Sequence, residues 1–143
     1  DLTNVFRRHP DASIIWAHIG VGRIVNPLKD MAKVIRDMCE DPTLSHVNFD
    51  ISWDEVAKYI LKNDTSLQIS ANLINDYPDR FLYGSDNVAS PDQKTFLSVY
   101  NLYQPLWDQL TPEANEKIKK GNYSRLFDNA KAKVREWEKA NPK

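Results

Sequence analysis

Cysteine is almost missing from this sequence: Cys39 is the single thiol in 143 residues. One thiol can form neither an intramolecular disulfide nor a cysteine metal cluster, and it fits a reducing compartment. Glycine is scarce as well. Gly20-Val-Gly22 lacks the third glycine of a dinucleotide-binding turn and runs into Asn26-Pro27, so it does not read as a phosphate-cradling loop. No apolar run approaches the roughly 20 residues of a membrane span. Neither sign of charge dominates. The 19 basic and 20 acidic residues give a net charge of −1, and they are interspersed, which argues against nucleic acid or an anionic membrane as partner. The aromatics are dispersed at helical spacing and read as core, not as a base-stacking platform. No repeat or low-complexity tract is present. The sequence opens on Asp1 without a charged-then-apolar leader, so its compartment, cytoplasmic or periplasmic, stays open.

What is present is an alternation of strand and helix. Residues 13–18 (Ser-Ile-Ile-Trp-Ala-His), 47–52 (Val-Asn-Phe-Asp-Ile-Ser) and 81–86 (Phe-Leu-Tyr-Gly-Ser-Asp) read as strands. In the second, Val47, Phe49 and Ile51 face one way and Asn48, Asp50 and Ser52 the other. Helical periodicity fills the gaps. Asn26-Pro27 is expected to open a helix carrying Leu28, Met31, Val34, Ile35 and Met38, which Asp41-Pro42 stops. Ser52-Trp-Asp-Glu55 and Ser90-Pro-Asp-Gln93 look like capping boxes. A short helix is expected at 71–76, a break or kink at Pro105, a start at Thr111-Pro112, an end at Gly121, and a final long helix from Asn122. The strand ends His18, Ser52 and Asp86 are 34 residues apart in each step (52−18 and 86−52). A strand–helix–strand unit needs about 30 residues, so the strands should be parallel with helical crossovers in one α/β domain spanning 1–143. Periodicity alone does not separate an open sheet from a barrel.

In parallel α/β folds reactive groups collect at the C-terminal strand ends. His18 and Asp86 end two strands there, and Asp50 lies near the end of the third. An imidazole and a carboxylate suit zinc or a similar divalent ion, and a carboxylate beside an activated water can take its proton. A lone strand-end histidine is also commonly a hydrogen-bonded core residue. His9 and His46 lie away from these ends and are expected to be solvated.

The string 9–20 (His-Pro-Asp-Ala-Ser-Ile-Ile-Trp-Ala-His-Ile-Gly) resembles the sixth strand of the amidohydrolase superfamily, in the branch of metal-dependent hydrolases and nonoxidative decarboxylases. Residues 77–86 (Tyr-Pro-Asp-Arg-Phe-Leu-Tyr-Gly-Ser-Asp) are similar to its eighth strand, and 121–127 (Gly-Asn-Tyr-Ser-Arg-Leu-Phe) to its closing helix. The resemblance covers essentially the whole chain. It implies the C-terminal portion, about strands 6–8 with their helices, of a (β/α)8 TIM-type barrel with metal, zinc by preference, at the mouth. It makes Asp86 a metal ligand and base, and His18 a metal ligand or a group that polarises substrate. The family's His-x-His pair and its strand-four and strand-five ligands have no counterpart in this sequence.

Around that pair, Arg23 could grip a substrate carboxylate or be a plain surface arginine. Asp50 and Asn48 face the polar side of their strand, for buried hydrogen bonding or substrate contact. Trp53 could wall a pocket or pack in the core. Asn87 follows Asp86 in the mouth loop, and Ser90 reads as a cap. The expected activity is hydrolysis of a small carboxylate- or lactone-type substrate, with the segment inactive by itself. Nonoxidative decarboxylation and a non-catalytic α/β assembly module are the alternatives. Three barrel strands leave open edges, so the segment should self-associate or pair with the missing N-terminal part of the barrel.

Overall fold

The computed structural model describes residues 2–21 and 30–142. Its centre is a parallel sheet of three short strands, β1 (Ile14–Trp16), β2 (Val47–Asp50) and β3 (Phe81–Leu82), in the order β1-β2-β3. Ile14 pairs with Val47, and Phe49 with Phe81. The fold is therefore α/β with a parallel sheet, compatible with part of a TIM barrel. Each strand is shorter than its apolar pattern suggested. After Trp16 the chain enters a tight 3-10 segment, Ala17–Gly20, in which His18 and Ile19 take positive φ of 53° and 46°. The last ladder bond of β2 runs from the Ile51 N–H to the Leu82 carbonyl at 2.9 Å.

Val47, Phe49, Ile51 and Phe81 are buried on one face of the sheet. Against the core formed there pack α2 (Met31–Glu40), through Ile35 and Met38, and α4 (Asp64–Asp76), through Ala71, Leu73 and Ile74. The expected start of α2 at Asn26-Pro27 lies outside the described residues. Its stop is as expected: the Asp41 carboxylate accepts the Thr43 N–H, opening the turn Pro42–Leu44. Helix α4 is longer than the 71–76 segment because Asn63 caps it, accepting the Ser66 N–H at 2.8 Å. Before β1, α1 (Leu2–Arg7) sets Phe6 edge-on to Trp16, with ring centroids 6.1 Å apart. His46, expected to be solvated, is half-buried, with its Nε2 3.0 Å from the Phe6 carbonyl.

Three other expectations are corrected. Ser52 does not cap α3 (Asp54–Ile60). Trp53 holds the cap position at φ 89° without a side-chain bond, while the Ser52 hydroxyl turns inward to the strand-end groups. Ser90 does not cap α5 (Gln93–Leu102). Asp92 accepts the Thr95 N–H at 2.7 Å, since a carboxylate is the stronger acceptor at a helix N-terminus, and the Ser90 hydroxyl is buried without a partner among the described residues. Gly121 does not end a helix. From α7 (Pro112–Glu116), capped by Thr111, the chain stays helical through wide π turns at Lys117–Gly121 and Ser124–Asp128 into α8 (Asn129–Ala140). Gly121 lacks the positive φ that would mark a glycine stop. Pro105 acts as expected: it lies in the first turn of α6 (Gln104–Trp107), just past the end of α5.

The N-terminal end of the sheet is closed by polar clamps. Arg80 donates to the carbonyls of Val47 (2.7 Å), Leu44 (2.8 Å) and Cys39 (3.4 Å), and its guanidinium lies over the Phe49 ring. Asn122, 1% exposed, donates to the carbonyls of Pro78 and Phe81, both at 2.8 Å. Arg125 reaches the Asp79 carbonyl at 2.7 Å and the Asn48 amide oxygen at 3.1 Å. The Asn48 amide nitrogen in turn donates to the carbonyls of Ile14 and His46. Asn48 thus takes the buried hydrogen-bonding role anticipated for it.

Candidate functional site

The opposite, C-terminal end of the sheet gathers residues that are far apart in sequence. His18 leaves β1, Asp50 and Ser52 leave β2, and Asp86 follows β3. His18 Nε2 lies 3.8 Å from Asp86 Oδ2, and His18 Nδ1 lies 3.9 Å from Asp50 Oδ2. Both separations are too long for hydrogen bonds. The Asp86 side chain is 42% exposed and that of Asp50 only 16%, so Asp86 is the carboxylate open to an incoming molecule.

Asp50 is engaged by its own strand end. One carboxylate oxygen accepts the Ser52 N–H at 2.8 Å, and the other accepts the Ser52 hydroxyl at 2.5 Å. The Ser52 oxygen lies 3.1 Å from His18 Nδ1, and the Ser52 carbonyl 3.3 Å from the same nitrogen. The Trp53 ring stands 5.3 Å from the imidazole, centroid to centroid, and walls it on one side. Asn87 is turned to the first turn of α5: its amide nitrogen donates to the Thr95 carbonyl at 3.0 Å. Arg23 lies outside the described residues.

The backbone here is unusual. His18 (φ 53°), Trp53 (φ 89°) and Asp86 (φ 47°) all have positive φ, one after each strand. Non-glycine residues rarely adopt this region, and each such residue costs about 1–3 kcal/mol, held in place by its surroundings. Such strain concentrates at functional sites. Next to His18, Gly20 (φ 79°) lies so close to the Trp16 ring that a Cβ would sit 2.5 Å from it. Glycine is required there on both counts.

Two donors are fewer than a zinc site needs. No group of three or more His, Cys, Asp or Glu with metal-binding geometry occurs among the described residues. The donors do fit part of one. Two ligands about 2.1 Å from a tetrahedral ion stand roughly 3.4 Å apart, near the separation of His18 Nε2 and Asp86 Oδ2. A cleft of about 590 Å³ lies elsewhere, on the helix-covered face between α2 and α4, and none of these residues lines it.

Of the expected site residues, the fold brings together His18, Asp50, Trp53 and Asp86, places Asn87 in the adjoining loop, and adds Ser52. The spacing Asp50-x-Ser52 carried a signal for the last: aspartate side chains commonly bond the backbone two residues on. No described helix is long and apolar enough to cross a membrane. No curated protein and no solved structure matches the chain. The sequence profile described as Amidohydrolase matches residues 1–128, nearly the whole length, and this chain belongs to the amidohydrolase family.

Proposed function

We propose that this chain supplies the His18–Asp86 part of a divalent-metal hydrolase site acting on a small carboxylate- or lactone-type substrate, within the last three strands of a (β/α)8 barrel. The observation that carries it is the convergence of His18 Nε2 and Asp86 Oδ2 to 3.8 Å at the C-terminal strand ends, with Asp86 open to solvent. A divalent ion, zinc by preference, held partly by these two donors supplies the acidity that makes water a nucleophile at neutral pH. Asp86 is placed to accept the proton of the attacking water. Trp53 excludes solvent from one side of the imidazole. Arg23, Asp50 and Asn87 are the further candidates for substrate contact, Asp50 with both oxygens already occupied by Ser52. The remaining ligands come from polypeptide beyond these three strands, a second copy or the rest of the barrel, so the chain alone is inactive.

Zinc titration followed calorimetrically tests the site. The expected result is binding that weakens at least tenfold in both His18→Ala and Asp86→Ala, with unchanged circular dichroism. Binding equal to wild type in both variants sinks the assignment. Where the barrel is complete, Asp86→Ala should abolish hydrolysis. Release of carbon dioxide from a carboxylate substrate instead would point to the lyase branch.

A further inference from the structure

We infer that Asp50 and Ser52 are positioning residues that hold neutral His18 with its proton on Nδ1, so that the Nε2 lone pair is the face presented to Asp86. This rests on the proposed function for its consequence but not for its geometry. The Ser52 carbonyl can only accept, so a hydrogen bond across the 3.3 Å to His18 Nδ1 is made only by the tautomer with its hydrogen on that nitrogen. The Ser52 hydroxyl could in principle donate to the same nitrogen from 3.1 Å. Its one hydrogen is committed elsewhere, to Asp50 Oδ2 at 2.5 Å, where the acceptor is a carboxylate. The chain of donors therefore runs one way, from His18 Nδ1–H to the Ser52 oxygen and from the Ser52 O–H to Asp50. The Ser52 N–H on the other carboxylate oxygen keeps Asp50 from rotating out of line. Gly84 packs behind Ser52: a Cβ there would come within 3.3 Å of the Ser52 Cβ.

The consequence is chemical. A ring protonated on Nδ1 offers at Nε2 an electron pair, not an N–H. It can ligate a cation or accept a proton, but while neutral it cannot donate a hydrogen bond to a substrate oxygen. Of the two roles that family resemblance leaves open for His18, this selects the ligand over the hydrogen-bond donor, and it gives Asp50 a task other than touching substrate.

Long-range proton–nitrogen correlation spectra of the full chain, labelled with 15N-histidine, read the tautomer directly. They are recorded with chelator, without substrate, at about pH 8.5, well above the ordinary histidine range. His46 is the internal contrast, since its Nε2 faces the Phe6 carbonyl and should carry the proton. The expected result is opposite patterns, Nδ1–H for His18 and Nε2–H for His46. An Nε2–H or doubly protonated His18 overturns the inference. Asp50→Asn then tests the direction of the chain. The asparagine oxygen stays on the Ser52 N–H, so its NH2 faces the Ser52 oxygen and turns the hydroxyl hydrogen toward His18. The ratio of Nε2–H to Nδ1–H should rise at least tenfold, a change that a purely structural role for Asp50 would not cause. An unchanged ratio overturns the inference. If Asp50→Asn does not fold, the wild-type spectrum decides alone. Because no metal is present, this result can fail while zinc binding through His18 and Asp86 survives, and the reverse.

Discussion

Tyr103 shows how one side chain can hold a strand end in an unfavourable shape. It is fully buried, and its hydroxyl is shared between the carbonyls of Ile51 and Trp53, the latter at 2.9 Å, on either side of the point where the chain turns to the positive φ of Trp53. Tyr103→Phe keeps the ring packing but leaves those carbonyls without their donor. The expected cost is about 1–3 kcal/mol in urea unfolding, together with a shift in Trp53 fluorescence. The phenols of Tyr103 and Tyr83 also set an alkaline limit. Burial, reinforced by neighbouring groups, lifts Tyr83 from the ordinary 10.0 to about 12 and Tyr103 higher still. A group whose folded pKa is raised contributes stability that is intact below the unfolded value and is lost as pH rises through the folded one. Stability should therefore hold up to about pH 10 and fall as pH climbs through 12 and beyond. Tyrosinate absorbance checks this, with two of the six tyrosines ionising only on unfolding.

At the scale of elements, the two most family-like stretches of the sequence turn out to grip each other. Asn122 and Arg125, from the 121–127 signature, bind the carbonyls of the 78–81 turn that opens the other signature. Both lie at the N-terminal end of the sheet, where barrels keep stability and not chemistry. Asn122→Ala should cost about 2 kcal/mol by leaving two carbonyls unpaired, while the His18–Ser52 arrangement at the other end keeps its nitrogen shifts. Loss of that arrangement in the variant would show the two ends to be coupled. Helix ends were the least legible elements. Ser52 and Ser90 both stood at capping spacing, yet the Ser52 hydroxyl turns to Asp50 and His18, and Asp92 takes the cap of α5 in place of Ser90. Sequence spacing does not rank competing acceptors.

Across the whole molecule, the described residues form a sheet with two outer strands, β1 and β3, and just past β3 the Tyr83 N–H bonds the Ile118 carbonyl. Along the C-terminal helix, Tyr123, Phe127, Val134 and Trp137 are 57%, 43%, 52% and 65% exposed. Their spacing of four, seven and three residues puts them on one stripe. Exposed apolar stripes are expected to be contact faces. Sedimentation velocity of the chain at tens of micromolar should show species heavier than the 16.5 kDa monomer, and Val134→Ser with Trp137→Ser should reduce them. A monodisperse monomer would argue that the stripe and the open strand are covered by the rest of a barrel and not by a second copy.

The sequence by itself determined the alternation of strands and helices, the parallel sheet, the apolar face of β2, and the arrival of His18 and Asp86 at strand ends. Periodicity and the fixed length of a crossover are local properties that tertiary packing did not need to overrule. Only the folded structure decided where the strands stop, that Asp50 takes the Ser52 hydroxyl, that Gly121 continues a helix, and which nitrogen of His18 faces Asp86. The clearest case is His18, which lies 34 residues from Ser52 in sequence and 3.1 Å from its hydroxyl oxygen in the fold, a proximity that periodicity does not encode.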